Sequence, residues 1–121
     1  DTLNLCPLGF TVWSGNDGST AAIMALGGKG VISVAANVVP REMHELTQLC
    51  LENRFLEAGT LQLKLHELIR ALFCEVNPIP VKEALAQIGM IEANYRMPLC
   101  PMTDDTRAAL TDALKGAGLL D

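Results

Sequence analysis

Up to Asn37 the apolar residues of this chain come in short continuous runs, and beyond it they recur at helical spacing. Phe10-Thr11-Val12-Trp13 reads as a short strand, bounded sharply by Ser14-Gly15-Asn16-Asp17-Gly18. Thr20 to Leu26 follows the cap candidates Asp17, Ser19 and Thr20. It predicts a helix of about two turns, stopped by Gly27 and Gly28. Gly30 to Asn37 then holds an apolar stretch, Val31 to Ala35, that does not alternate with polar residues. A strand solvated on one face would alternate, so this one is expected to be buried on both faces, as in a parallel sheet covered by helices. Strand, helix, strand and helix is the order of an α/β fold, in which the carboxyl ends of the strands form the ligand-binding edge. That order sets Gly15, Asn16, Asp17, Ala36 and Asn37 on one rim.

The remainder predicts helices. Pro40 suits the first turn of one running to about Asn53, with Met43, Leu46 and Cys50 on a stripe. From Leu56 to Cys74 the strongest period in the chain, carried by Leu61, Leu65, Leu68, Ile69 and Leu72, predicts a single long helix. Gly59 costs such a helix about 1 kcal/mol relative to Ala, so either close packing there or a later start is expected. Asn77-Pro78-Ile79-Pro80 forms a rigid corner opening a further helix, with Val81, Ala84, Leu85 and Ile88 on one face and Gly89 at its end. Glu92 to Met102 reads as irregular because Pro98 and Pro101 block helix. Thr103 then caps a last helix carrying Asp104 and Asp105 at its positive end and Leu110 and Leu114 inside. Asp1 to Gly9 reads as a connection into the first regular element.

Composition narrows the function classes. The 121 residues suit one domain, half of them are hydrophobic, and the formal net charge is -5. Nine scattered Lys and Arg form no basic patch, which argues against nucleic acid as a partner. No apolar run reaches membrane-spanning length, no leader is readable from Asp1, and a cytoplasmic location is expected. Cysteines at 6, 50, 74 and 100 lack the close spacing of zinc sites and redox pairs, so reduced, mostly buried thiols are expected. His44 and His66 have no partner at ligand spacing, so neither a metal nor a cofactor is implied. Glu42 and Glu45, like Asp104 and Asp105, read as solvated or helix-end charges. Gly27-Gly28-Lys29-Gly30 precedes a strand instead of joining a strand to a helix, which is wrong for a phosphate loop.

Two parallel strands make no stable sheet, so either the chain dimerises through them or it is the carboxyl-terminal part of a larger α/β protein. Leu26-Gly27-Gly28-Lys29-Gly30-Val31-Ile32-Ser33-Val34-Ala35-Ala36-Asn37 carries a specific resemblance, together with Ser14-Gly15-Asn16-Asp17 before it and Asn77-Pro78-Ile79-Pro80-Val81-Lys82 after it. These segments resemble the carboxyl-terminal part of the dihydrodipicolinate synthase (4-hydroxy-tetrahydrodipicolinate synthase) family, and the resemblance runs to Gly118-Leu119-Leu120.

The resemblance implies the carboxyl-terminal part of a (β/α)8 TIM barrel. Residues 1–53 would be its last two βα units and residues 54–121 a helical carboxyl-terminal region. The implied activity is a Schiff-base lyase that condenses pyruvate with aspartate semialdehyde in lysine and diaminopimelate biosynthesis, usually as a homotetramer and without metal or cofactor. Its nucleophilic lysine, with a tyrosine and threonine proton relay, would precede Asp1, so catalytic residues are absent from this chain and it alone is expected to be inactive. Lys29, Lys82 and Tyr95 do not match those positions. Substrate-binding positions carried over are Ile32, whose main chain would lie beside pyruvate, and Gly15, whose carbonyl would face the substrate end of the pocket. Asn16 replaces a more usual aspartate and leaves Asp17 as the nearby carboxylate, and Asn77 would stand behind the pocket or cap its helix. Two other readings stand beside this one: a related pyruvate-dependent aldolase of the neuraminate or keto-sugar acid type, and a non-catalytic helical assembly module.

Overall fold

The computed structural model describes residues 2–121, with side chains from Asn4 onward. Asp1, the start of the expected connection, lies outside the described residues. A single helical turn, α1 (Thr2–Leu5), opens the remainder of that segment. It is followed by α2 (Thr20–Ala25), α3 (Pro40–Leu51), α4 (Phe55–Lys64), α5 (His66–Leu72), α6 (Ile79–Gln87) and α7 (Asp104–Gly116). Short 3-10 turns occupy Asp17–Ser19 and Ala35–Asn37.

The two expected strands do not form as strands among the described residues. Ser14 and Val31 make one parallel bridge, carried by three backbone bonds. Lys29 N–H donates to Val12 C=O (2.9 Å), Ser14 N–H to Gly30 C=O (2.8 Å) and Ile32 N–H to Ser14 C=O (2.8 Å). The register is that of a parallel pair, but a pair this short has no neighbour to extend it. The expected burial of Val31 to Ala35 on both faces is also corrected. Ala35 is buried, whereas Ile32 is 74% exposed. Val34 already has helical dihedrals (φ -76°, ψ -44°), so the backbone leaves the extended region before the predicted end.

The helices follow their sequence signals more closely. Pro40 opens α3, where its missing N–H removes no helical bond, and the stripe Met43, Leu46 and Cys50 is buried together with Leu49. Thr103 caps α7 through its hydroxyl oxygen, which accepts from Thr106 N–H, and Leu110 and Leu114 are fully buried. The predicted long helix is two helices, interrupted at Leu65. Leu65 N–H still donates to Leu61 C=O and Ile69 N–H to Leu65 C=O, so the apolar period keeps its phase through the bend. Gly59 meets neither sequence expectation. The helix begins at Phe55, before it, and apart from its own helix backbone and chain neighbours no atom among the described residues lies within 4 Å of the place its Cβ would take.

One core joins the molecule. α3 packs on α2 and α4, α7 packs on α5 and α6, and Leu46, Leu72, Leu110 and Leu114 are its largest fully buried apolar side chains. Burying a residue of this size is worth about 1.5–3 kcal/mol, so the helical part carries most of the stability. The irregular segment before α7 is held to it by polar contacts: Glu83, 7% exposed, accepts from Tyr95 Oη (2.9 Å) and from Gln87 Nε2 (3.3 Å). Arg107 Nε lies 3.3 Å from Glu83 Oε1 as an ion pair, at an angle that makes no hydrogen bond.

Candidate active-site rim

The residues gathered by the parallel bridge form a small ring of backbone. Ser14, almost fully buried, donates its hydroxyl to Asn16 C=O (2.8 Å) and accepts from Asn16 N–H (3.1 Å). This local turn reverses the chain immediately after the bridge, leaving Gly15 exposed with open space around it. Asn16 Oδ1 accepts from Ser19 N–H (3.1 Å) and caps the 3-10 turn that follows, a role that either an amide or a carboxylate oxygen performs. On the other side Ile32 is joined to Ser14, and its side chain stands in the open. Gly30 is needed beside it for space: a Cβ there would come within 2.6 Å of the Trp13 ring.

Asp17 departs from its expected place on the rim. It is 1% exposed, and its Oδ2 accepts from Val34 N–H (3.0 Å) and Ala35 N–H (3.1 Å). Its own carbonyl accepts from Thr20 Oγ1 (3.0 Å) and from Gln62 Nε2 (3.1 Å). Gln62 also accepts from Ala21 N–H (3.3 Å), which fastens α4 to the loop. Sequence reasoning missed Ser14, Thr20 and Gln62. The hydroxyls carried a local signal as turn formers, but Gln62 had none, since its partners lie more than forty positions away.

Gly15, Asn16, Asp17 and Ile32 are therefore brought together, while Ala36 and Asn37 close the adjoining 3-10 turn, with Asn37 Nδ2 on Val34 C=O (3.0 Å). Asn77 stands apart, exposed, beside a cis Asn77–Pro78 bond. It is Pro78, without a side-chain bond, that occupies the cap of α6. Lys29 is exposed. Lys82 donates to Asn94 C=O and stands 5.3 Å from the centre of the Tyr95 ring. His44 and His66 are exposed on α3 and α5, and no group of three or more His, Cys, Asp or Glu gathers among the described residues. The expectation of mostly buried thiols is corrected: the cysteines are free, but Cys74 and Cys100 are exposed, Cys6 is half-buried and only Cys50 lies in the core. Burial pushes the Cys50 thiol above its usual range. Two grooves, one of about 630 Å³ between α5 and α7 and one of about 450 Å³ between α3 and α4, do not touch the rim.

A backbone ring at the ends of two parallel-bonded segments, backed by helices, is the arrangement found at the loop-bearing edge of α/β proteins. The chain belongs to the dihydrodipicolinate synthetase family, whose model matches residues 1–117. It is 46% identical over 120 residues to the 4-hydroxy-tetrahydrodipicolinate synthase of Acetivibrio thermocellus, covering 99% of this chain and 41% of that protein. The dihydrodipicolinate synthase of Aquifex aeolicus overlays with a TM-score of 0.94 at 44% identity, covering 97% of this chain and 40% of that one. The chloride-inhibited synthase of Acinetobacter baumannii complexed with pyruvate overlays with a TM-score of 0.89 at 41% identity, over 92% of this chain and 38% of that one. The chain thus spans about two fifths of the length of the curated relatives it matches. No described helix is long and apolar enough to cross a membrane.

Proposed function

We propose that this chain is the carboxyl-terminal portion of a (β/α)8 barrel lyase that condenses pyruvate with aspartate semialdehyde to 4-hydroxy-tetrahydrodipicolinate, in lysine and diaminopimelate biosynthesis. Residues 1–53 contribute the last two βα units and residues 54–121 the helical region. The single observation that carries the reading is the family match over residues 1–117. The parallel register supports it, since pairing Ser14 with Val31 sets Gly15 opposite Ile32, the two positions proposed to border pyruvate. That a relative is described in complex with pyruvate supports the choice of substrate.

In this reading a lysine of the preceding segment adds its amine to the pyruvate carbonyl and water leaves. The protonated imine then acts as the electron sink from which the enamine forms and attacks the aldehyde. The part played by this chain is a wall: Gly15 and Ile32 offer main chain to the substrate, and Asn16 and Asp17 shape the loop beside it. The complete enzyme works as a homotetramer in the cytoplasm.

Borohydride reduction in the presence of pyruvate tests the assignment by intact mass. The full-length enzyme is expected to gain one pyruvyl adduct that maps ahead of Asp1, and this chain alone none. A stable adduct on Lys29, Lys82 or any other lysine of this chain would overturn it.

A further inference from the structure

We infer that Asp17 is a positioning residue for the pyruvate wall instead of a ligand of the second substrate. The inference rests on the lyase reading above and deepens it. Its carboxylate is turned away from solvent, 1% exposed, and aimed into the chain. Oδ2 takes both Val34 N–H and Ala35 N–H, two and three residues beyond Ile32. On the near side, Ile32 N–H is held by Ser14 C=O at 2.8 Å. Ile32 and Ser33 are therefore clamped between a backbone bond and a carboxylate, and Gly15 and Asn16 span the same two anchors on the opposite strand of the ring.

The clamp is itself anchored. Thr20 and Gln62 both donate to Asp17 C=O, so the backbone of Asp17 is tied to α2 and α4. Loop residues that carry substrate contacts need such a fixed base, because a displacement of about 1 Å at a reacting group can cost on the order of a hundredfold in rate. A carboxylate accepting two backbone N–H groups supplies it with one side chain, and supplies it where no further strand pairing exists past Ile32 among the described residues. Asp17 Oδ1 is also buried and has no hydrogen-bond partner among the described residues.

Two measurements test this. In the full-length enzyme, Asp17→Ala should raise KM for pyruvate roughly tenfold or more and move KM for the aldehyde less. Asp17→Asn keeps an oxygen in place for the two N–H groups and should recover most of the loss. Amide hydrogen exchange supplies the second arm: Val34 and Ala35 should lose protection in Asp17→Ala and regain it in Asp17→Asn. Should Asp17→Ala fail to fold, Asp17→Glu keeps the charge but lengthens the arm, and the same rise in pyruvate KM is expected. Asp17→Asn raising the aldehyde KM as much as Asp17→Ala would overturn the inference, because the carboxylate would then be touching the acceptor. So would a variant that melts earlier with pyruvate KM and both amides unmoved. A wild-type enzyme that forms no pyruvate adduct would sink the lyase reading alone, and the exchange arm would still decide the role of Asp17.

Discussion

Tyr95 shows how a single side chain reports on packing. Burial first, and then its hydrogen bond to the Glu83 carboxylate, push its phenol up to about 12. A phenol whose folded value is raised favours the folded state while it stays neutral. That contribution is complete below the ordinary tyrosine range near 10 and is lost as pH rises toward 12. The chain has one tyrosine, so an absorbance titration reads it directly. The midpoint is expected near 12 in the folded chain, and Glu83→Gln should bring it down toward the ordinary value. An unshifted midpoint in the native chain would show that Tyr95 does not meet Glu83. Neither this contact nor that of Asp17 was legible in the sequence. Glu83 sits one position from Ala84 on a helix whose apolar side alone could be read, and Asp17 meets its amide partners seventeen and eighteen positions away. What could be read was residue type: a polar cluster after an apolar run, hence a rim, but not which member of it turns inward.

At the scale of elements, local signals were sufficient where the element is stabilised locally. Pro40 at the start of α3 and Thr103 at the cap of α7 act within one helical turn, and both stand where the pattern put them. Strands depend on what lies beside them, so Val31 to Ala35 carries the apolar run of a strand while only a three-bond pairing forms. The bend at Leu65 was invisible because apolar spacing continues through it. Gly59 gives the element-scale prediction. It lies inside α4 with nothing near the Cβ position and no left-handed φ, so Gly59→Ala should gain up to about 1 kcal/mol in helix propensity. Urea denaturation of the full-length enzyme measures it, and a loss of stability would mean that another surface approaches α4 there.

For the molecule as a whole, the core is drawn mostly from the helices, while large apolar residues stand open both in the amino-terminal part and on the helical side, where Leu56, Leu63 and Met97 are the most exposed. Leu5, Leu8, Phe10, Trp13 and Ile32 are all exposed, which is the distribution expected of a surface made to be covered. Trp13, the one tryptophan, is 54% exposed and provides the probe. On the proposed function, adding the preceding barrel segment should shift its emission to shorter wavelength and suppress binding of an apolar dye. An unchanged spectrum would show that this face is not the one covered. The sequence by itself determined most of the helical segments, the Pro40 and Thr103 helix starts and the stretches that meet at the rim, because capping, helical period and turn chemistry act over a few residues, while its motifs carried the family resemblance. Only the tertiary structure decided that Asp17 faces inward, that Ile32 stands open and that Glu83 gathers Tyr95 and Arg107, because each depends on which distant groups the fold brings within hydrogen-bonding reach.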